Sequence, residues 1–168
     1  MNMDTVRLTK RIRILLALFA AGLLVSGLTA FPLQWEIDLL RRFTAGAPGL
    51  VNLIPGLADW INTVHAGITT TNQQYPFMAY GTDWLAFAHI VIAIAFWGPI
   101  RDPARNIWVV EFGMIACVLV IPLALTYGPL RGIPFGWQLI DCSFGIIGII
   151  PLWLAHRLIR QLPQVVNR

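Results

Sequence analysis

Four long apolar runs constrain this sequence more than any other feature. They cover residues 14–31, 82–99, 107–127 and 137–157. A helix needs roughly 20 apolar residues to cross the hydrocarbon core of a bilayer, and each run is close to that length. Only 12% of the residues are charged, whereas soluble domains carry about 25%. We therefore predict an all-α integral membrane protein with one membrane domain, residues 1–168.

Short connectors join the last three runs. The segments RDPARN and GPLRGIPFG leave room for little more than a turn. Helices joined by such short connectors lie side by side and run antiparallel. The sequence thus predicts a four-helix transmembrane bundle with up-down antiparallel topology.

The basic residues predict which side of the membrane holds the termini. If the N-terminus is cytoplasmic, most Lys and Arg residues are inside: Arg7, Lys10, Arg11, Arg13, Arg101, Arg105, Arg157, Arg160 and Arg168. The other basic residues are then outside: Arg41, Arg42 and Arg131. Because cytoplasmic segments carry an excess of Lys and Arg, we expect a multi-pass protein of the cell membrane with both termini in the cytoplasm.

The first run has a second interpretation, since a basic segment before an apolar stretch is also the pattern of a signal peptide. This run is longer than the apolar part of a usual signal peptide. Leu28 also stands where a cleavage site after Ala30 needs a small residue. We expect the run to remain as a membrane anchor.

The long connector, residues 34–79, lies outside on this topology. Apolar residues recur about once per helical turn in two parts of it: Ile37, Leu40 and Phe43, then Leu57, Ile61, Val64 and Ile68. The first part predicts a short interfacial helix or a tilted extension of the first span, and the second an amphipathic helix on the membrane surface. The polar segment TTTNQQYP, residues 69–76, is expected to form a turn. A transport loop, a partner-binding cap and a plain interfacial re-entry all fit this connector.

Two span ends share a sequence pattern, GPIR at residues 98–101 and GPLR at residues 128–131. An acid follows ten residues after each Arg, at Glu111 and Asp141. We expect Gly and Pro to end each helix, Arg to lie at the lipid headgroups, and the acid to lie near the positive end of the next helix dipole. A shared hairpin design explains the repeat, and the inverted repeats of a transporter are the alternative.

Small residues predict where the helices approach one another most closely. Such residues occur in three of the spans: Gly22 and Ser26, Gly113 and Cys117, and Gly145 and Gly148. The two cysteines, Cys117 and Cys142, stand alone without a metal-binding spacing, so we expect buried thiols rather than a disulfide.

Ionisable residues inside membrane spans are costly, so each is a candidate for function. His89 and Asp141 lie at similar depths in the outer leaflet, and adjacent helices could bring them together near Asp83 and Arg131. This set is the candidate polar site. At the inner face we expect an ion-pair cluster of four residues: Glu111, Arg101, Arg105 and His156.

We predict no cofactor and no metal. A haem would need a second axial ligand at the depth of His89, and His65 and His156 lie elsewhere in the chain. A zinc site could draw on His89, His65, Asp83 and Asp141, but no spacing motif supports one. The expected partners are the lipid bilayer and a second membrane protein or further copies of this chain. Nucleic acid is not expected, because the basic residues cluster at the ends of the apolar runs.

No catalytic or nucleotide-binding motif occurs in the sequence. We therefore expect a non-enzymatic role, as a structural or interaction subunit of the cytoplasmic membrane. The alternative is a proton-coupled transporter or a membrane enzyme that uses His89 and Asp141. For the structural role, we expect His89 to hydrogen-bond to a neighbouring helix, and Asp83, Glu111 and Asp141 near the span ends to pair with Arg or with the helix dipole.

Overall fold

The computed structural model describes residues 3–46 and 56–162. It is 89% helical, and these described residues form no strands. The helices, in chain order, are α1 Met3–Ala30, α2 Leu33–Gly46, α3 Leu57–Gln74, α4 Ala79–Ala95, α5 Trp97–Arg101, α6 Ile107–Leu130 and α7 Phe135–Ile159. A 3₁₀ turn, Pro76–Met78, leads into α4.

Four helical segments are long and apolar enough to cross a membrane: Thr5–Ala30, Pro76–Arg101, Ile107–Leu130 and Phe135–Ile159. The prediction of an all-helical chain with four such segments is confirmed. Three of the segments begin before the apolar runs that predicted them, and the third begins with its run at Ile107. The polar residues at these ends continue the helix because backbone hydrogen bonding does not depend on the polarity of the side chain.

The Gly-Pro pairs do not end their helices where the sequence predicted. Pro99 lies inside α5, which continues to Arg101, and Pro129 lies inside α6, which continues to Leu130. A proline has no backbone N–H to donate. Pro99 lies in the first turn of α5, where N–H groups have no partner within the helix. Pro129 interrupts the hydrogen bonding of α6 only at its end, since the helix stops one residue later. At the first pair the span is divided instead, with Phe96 between α4 and α5.

The buried core lies at one end of the bundle, which we call the inner end. It holds the beginning of α1, the beginning of α6 and the end of α7. Its largest fully buried side chains are Ile12, Leu16, Phe96, Val110 and Leu152. The ring of Phe19 lies 4.8 Å from that of Phe96 and extends this core along α1. The opposite end, where α1 finishes and α4 begins, is called the outer end.

Helix α1 has the central position in the bundle. It packs against α4, α5 and α7, while the main neighbour of α6 is α7. Most large apolar side chains that point away from these contacts are exposed, for example Leu18, Ile94 and Ile147. Exposed apolar side chains are the normal state for helices that face lipid.

Glycines mark the closest helix contacts, as expected, but not at every position predicted. A Cβ atom on Gly145 would touch the backbone oxygen of Cys117, and one on Gly113 would lie 2.9 Å from Leu152. The prediction for Gly22 is wrong, because no heavy atom would lie within 4 Å of its Cβ. The close contact of α1 is made by Gly27, five residues later, where the added Cβ would lie 2.8 Å from the backbone oxygen of Ala86.

Both cysteines, Cys117 and Cys142, are free and buried, which agrees with the prediction. The polar segment at residues 69–76 is a correction, since α3 continues to Gln74 and only the residues after it form a turn. Its helical part is stabilised by two side-chain hydrogen bonds with Gln34 of the preceding helix: Thr69 accepts one from Gln34, and Asn72 donates the other to it.

Candidate functional site

Helices α2 and α3 form a hairpin at the outer end, which we call the cap. Helix α2 begins immediately after a two-residue turn at Phe31 and Pro32, and α3 packs along it. Gln34 and Asp38 are one helical turn apart on α2. On α3, His65, Thr69 and Asn72 have the same helical spacing, so each helix presents a polar stripe to the other.

Hydrogen bonds join these two stripes. The Nε2 atom of His65 donates to Oδ1 of Asp38 over 2.8 Å. Nε2 of Gln34 lies 3.2 Å from the same oxygen and 3.0 Å from Oγ1 of Thr69. Nδ2 of Asn72 donates to Oε1 of Gln34 over 3.3 Å. The five side chains therefore form one network, which we call the cap network.

The network is extended toward the far end of the hairpin by a further polar pair. Nε of Arg41 donates to Oδ1 of Asn62 over 3.1 Å. Ile37 and Ile61 are both buried, so the hairpin combines apolar packing with polar bonds. A half-buried hydrogen bond contributes about 1 kcal/mol, and several in series fix the relative position of α2 and α3.

A cavity of about 770 Å³ lies between the cap and the outer ends of α1 and α4. Its lining is mainly apolar, with a few polar side chains from the cap network. Representative lining residues are Phe31, Leu33, Ile68, Met78, Asp38 and Asn72. Both donors to Asp38 reach Oδ1, and no hydrogen bond to Oδ2 occurs within residues 3–46 and 56–162. Apolar cavities with a few polar groups of this kind are the usual form of binding sites.

The structure does not join the residues of the predicted outer site. His89 is half-buried, and its Nδ1 donates to the backbone oxygen of Leu85 in its own helix over 2.8 Å. Its Cβ lies against Gly27 of α1. Within the described part of the chain, no side-chain hydrogen bond or salt bridge connects His89, Asp141, Asp83 and Arg131. Helix α4, which carries His89 and Asp83, packs mainly against α1, whereas α7, which carries Asp141, packs against α6 and α1.

At the inner end, two members of the predicted cluster are in contact. Nε2 of His156 lies 3.1 Å from Oε1 of Glu111, which links α7 to α6. No salt bridge among the described residues joins Arg101 or Arg105 to this pair, and their backbones bond to other residues. The backbone oxygen of Arg101 accepts a bond from the Arg13 guanidinium over 3.1 Å, and the backbone N–H of Arg105 donates to Asp102 over 3.1 Å.

Arg13 is a structural residue that the sequence did not indicate. Its Nε also donates to the backbone oxygen of Ile100 over 3.0 Å. The one guanidinium thus binds two carbonyl groups at the end of α5, where the helix has no further N–H donors for them. Arg13 belongs to the basic segment before the first span, and its position in the sequence does not indicate these two backbone partners.

Potential metal ligands do not cluster in the described part of the chain. No group of three or more His, Cys, Asp or Glu side chains within residues 3–46 and 56–162 is placed to hold a metal ion. The three histidines lie on different helices and have different partners, namely Asp38, Leu85 and Glu111.

The cap network is the arrangement that sequence reasoning missed. Gln34, Asp38, His65 and Asn72 are each common surface residues, so none of them stands out alone. A signal was present in their spacing, since two polar stripes with helical period flank a break at Ala47, Pro48 and Gly49. Two such stripes can form an antiparallel hairpin with a polar interface.

Comparisons of the chain with models of protein families, with curated proteins and with solved structures find no match.

Proposed function

We propose that this protein is a four-span subunit of the cytoplasmic membrane, with up-down topology and both termini in the cytoplasm. Its role is structural, through interaction with a second membrane protein or with further copies of itself. The lengths of the four apolar helices support insertion. The excess of Lys and Arg at the inner end supports the orientation.

One observation carries the non-enzymatic part of this proposal. Polar side chains near the spans bond mainly to partners that hold the fold together. His156 bonds to Glu111 between helices, His89 bonds within its own helix, and Arg13 bonds to the end of α5. A catalytic or proton-conducting site needs polar groups that converge on a substrate or on one another. Among the residues that the structure describes, no side-chain hydrogen bond or salt bridge joins His89 to Asp141.

The cap and its cavity are the proposed contact region. The cap network makes α2 and α3 one element, so the cavity walls are formed before any partner arrives. A preformed, largely apolar cavity is suited to bury an apolar side chain of a partner at low entropic cost. Exposed apolar residues on the outer face of α2 add to this surface, notably Trp35 and Phe43, each 62% exposed.

Filling the cavity tests this proposal. Ala79 lines the cavity at the start of α4, and Ala79→Trp would occupy much of its volume. The wild-type protein, extracted from its own membranes in a mild detergent, is expected to migrate as a complex larger than its 18.7 kDa chain. In the Ala79→Trp variant the complex should weaken by a factor of ten or more, about 1.4 kcal/mol.

Ala66→Trp is the matched control, because Ala66 is exposed on α3 and does not line the cavity. It should leave the complex intact. Helix content and thermal stability of both variants show whether they fold. The proposal fails if Ala79→Trp folds normally and its complex is as stable as that of the wild type, or if the wild type is monomeric in every mild detergent.

A further inference from the structure

A second recess lies at the inner end, between the beginning of α1 and the end of α7. It has a volume of about 410 Å³, and we call it the inner groove. Four apolar side chains and two arginines line most of it: Ile14, Leu15, Leu154, Leu158, Arg11 and Arg157. The groove is separate from the cap cavity, which is at the outer end.

The polar lining of the inner groove is positively charged. Both arginines are exposed, and no carboxylate whose side chain the structure describes lines the groove. Among the described residues, both salt bridges involve histidines, and neither involves Arg11 or Arg157. An anion in this groove would therefore meet two guanidinium groups.

The geometry of Arg157 favours binding of a planar or forked acceptor. Its guanidinium carbon lies 4.8 Å from the ring centroid of Trp153. This cation–π contact restrains the side chain before a ligand arrives. A guanidinium offers a fixed fork of N–H donors, which matches two oxygens of a phosphate group. Gln161, also in the lining, adds an amide donor.

The apolar walls of the groove would suit a ligand that also has a hydrocarbon part. Arg11 precedes the first apolar run, which begins at Ile14, and Arg157 follows the last one. If the helices span a bilayer, both charges lie at the level of the headgroups, and the apolar walls lie at the level of the acyl chains. Basic pockets between helices on the cytoplasmic side are suited to anionic lipid headgroups.

We infer that the inner groove binds an anionic phospholipid. Arg11 and Arg157 hold its phosphate group, and an acyl chain lies along Ile14, Leu15, Leu154 and Leu158. The inference rests on the proposed membrane location but not on the proposed role of the cap. The lipid would bridge α1 and α7, the first and last helices of the bundle.

Binding of defined lipids to the purified protein tests this inference. The full-length protein in detergent is titrated with phosphatidylglycerol or with phosphatidylcholine, and bound lipid is counted by native mass spectrometry. Phosphatidylglycerol should bind at one preferred site. The Arg11→Gln/Arg157→Gln variant should bind it about ten-fold more weakly, the factor expected when about 1.4 kcal/mol of charged hydrogen bonding is lost.

The matched control is Arg101→Gln/Arg105→Gln. It removes the same number of charges from the same end of the bundle, at exposed residues that do not line the groove. Its affinity for phosphatidylglycerol should stay within about two-fold of the wild type, since general electrostatic attraction changes little between the two variants. The single variant Arg11→Gln keeps Arg157 and its Trp153 contact, so it should lose a smaller factor.

Three results would overturn the inference. The first is equal loss of affinity in the control and in the groove variant. The second is binding of phosphatidylcholine as tight as that of phosphatidylglycerol. The third is displacement of the lipid by inorganic phosphate at comparable concentration, which would assign the groove to free phosphate. Helix content and melting temperature identify a variant that does not fold, and the single Arg11→Gln variant then decides the question.

Discussion

All three histidines bond to an oxygen atom of the protein itself. His65 bonds to the carboxylate of Asp38, His156 to that of Glu111, and His89 to the backbone oxygen of Leu85. These bonds orient each imidazole and occupy one of its two nitrogens. At the scale of single residues, the histidines therefore act as connectors within and between helices.

The variants His89→Ala and Asp141→Asn test this structural role against the alternative of a transporter or membrane enzyme. His89→Ala removes one side-chain hydrogen bond, which stabilises a fold by about 1 kcal/mol. We expect a slightly lower melting temperature in detergent for His89→Ala and a smaller change for Asp141→Asn. Both proteins should remain folded and keep the complex described above.

A different result would favour the alternative. It would be supported if the purified wild type held a stoichiometric metal, haem or quinone that His89→Ala removes without unfolding. Optical and elemental spectra of the wild type and of the variant measure this directly. An unchanged melting temperature for His89→Ala would show that its bond to Leu85 contributes little.

At the scale of helices, the contact between α6 and α7 depends on a glycine. The position of Gly145 leaves no room for a Cβ beside Cys117 and Val120. We expect Gly145→Ala to force the helices apart and to lower the free energy of unfolding by about 1–3 kcal/mol, as overpacked cores do. Thermal or denaturant unfolding in detergent micelles measures the change.

Gly22→Ala is the control for this prediction, because no atom would contact the added Cβ. Alanine is a better helix former than glycine by up to about 1 kcal/mol, so this variant should be neutral or slightly more stable. If both variants changed stability in the same direction and by the same amount, helix propensity would explain the effect and close packing would not.

The four long helices could be predicted from the sequence because their length and apolar content are set by the bilayer. The face of each helix that packs against its neighbours could not be predicted in this way. In α1 nearly every residue from Ile14 to Phe31 is apolar or small, so the pattern does not distinguish the face of Gly22 from that of Gly27. Only the positions of the neighbouring helices decide between them.

The site was predicted less well than the fold, for a related reason. His89 and Asp141 stand out in the sequence because an ionisable residue in an apolar run is rare. Asp38 and His65 do not stand out as a pair, because acids and histidines are common in polar connectors. A hydrogen bond between residues 27 positions apart depends on how two helices fold back on each other, which the local sequence does not specify.

At the scale of the whole molecule, the proposed orientation is tested by a reporter that acts in one compartment only. A reporter fused after Arg168 should be active in the cytoplasm, because most Lys and Arg residues lie on that side. A cysteine placed at Thr70 in the cap, which is exposed, should react with a membrane-impermeant reagent added outside intact cells.

Two outcomes would contradict this topology. A C-terminal reporter active on the outside would mean that the number of spans is odd or that the orientation is inverted. Lack of labelling at Thr70→Cys in intact cells, together with labelling after lysis, would place the cap inside. A cysteine at Arg105, on the predicted inner side, serves as the opposite control.

The central position of α1 matters during synthesis of the chain, because several of its partners are made much later. Helix α1 leaves the ribosome first, yet Arg13 must bind carbonyl groups 87 and 88 residues later in the chain. Ile12 and Leu16 lie in a core with Leu152 and Ala155, which are translated near the end of synthesis. If the four helices enter a bilayer in chain order, α1 therefore remains there without α7 until synthesis is almost complete. The apolar length of α1 and its internal backbone hydrogen bonds would allow it to do so.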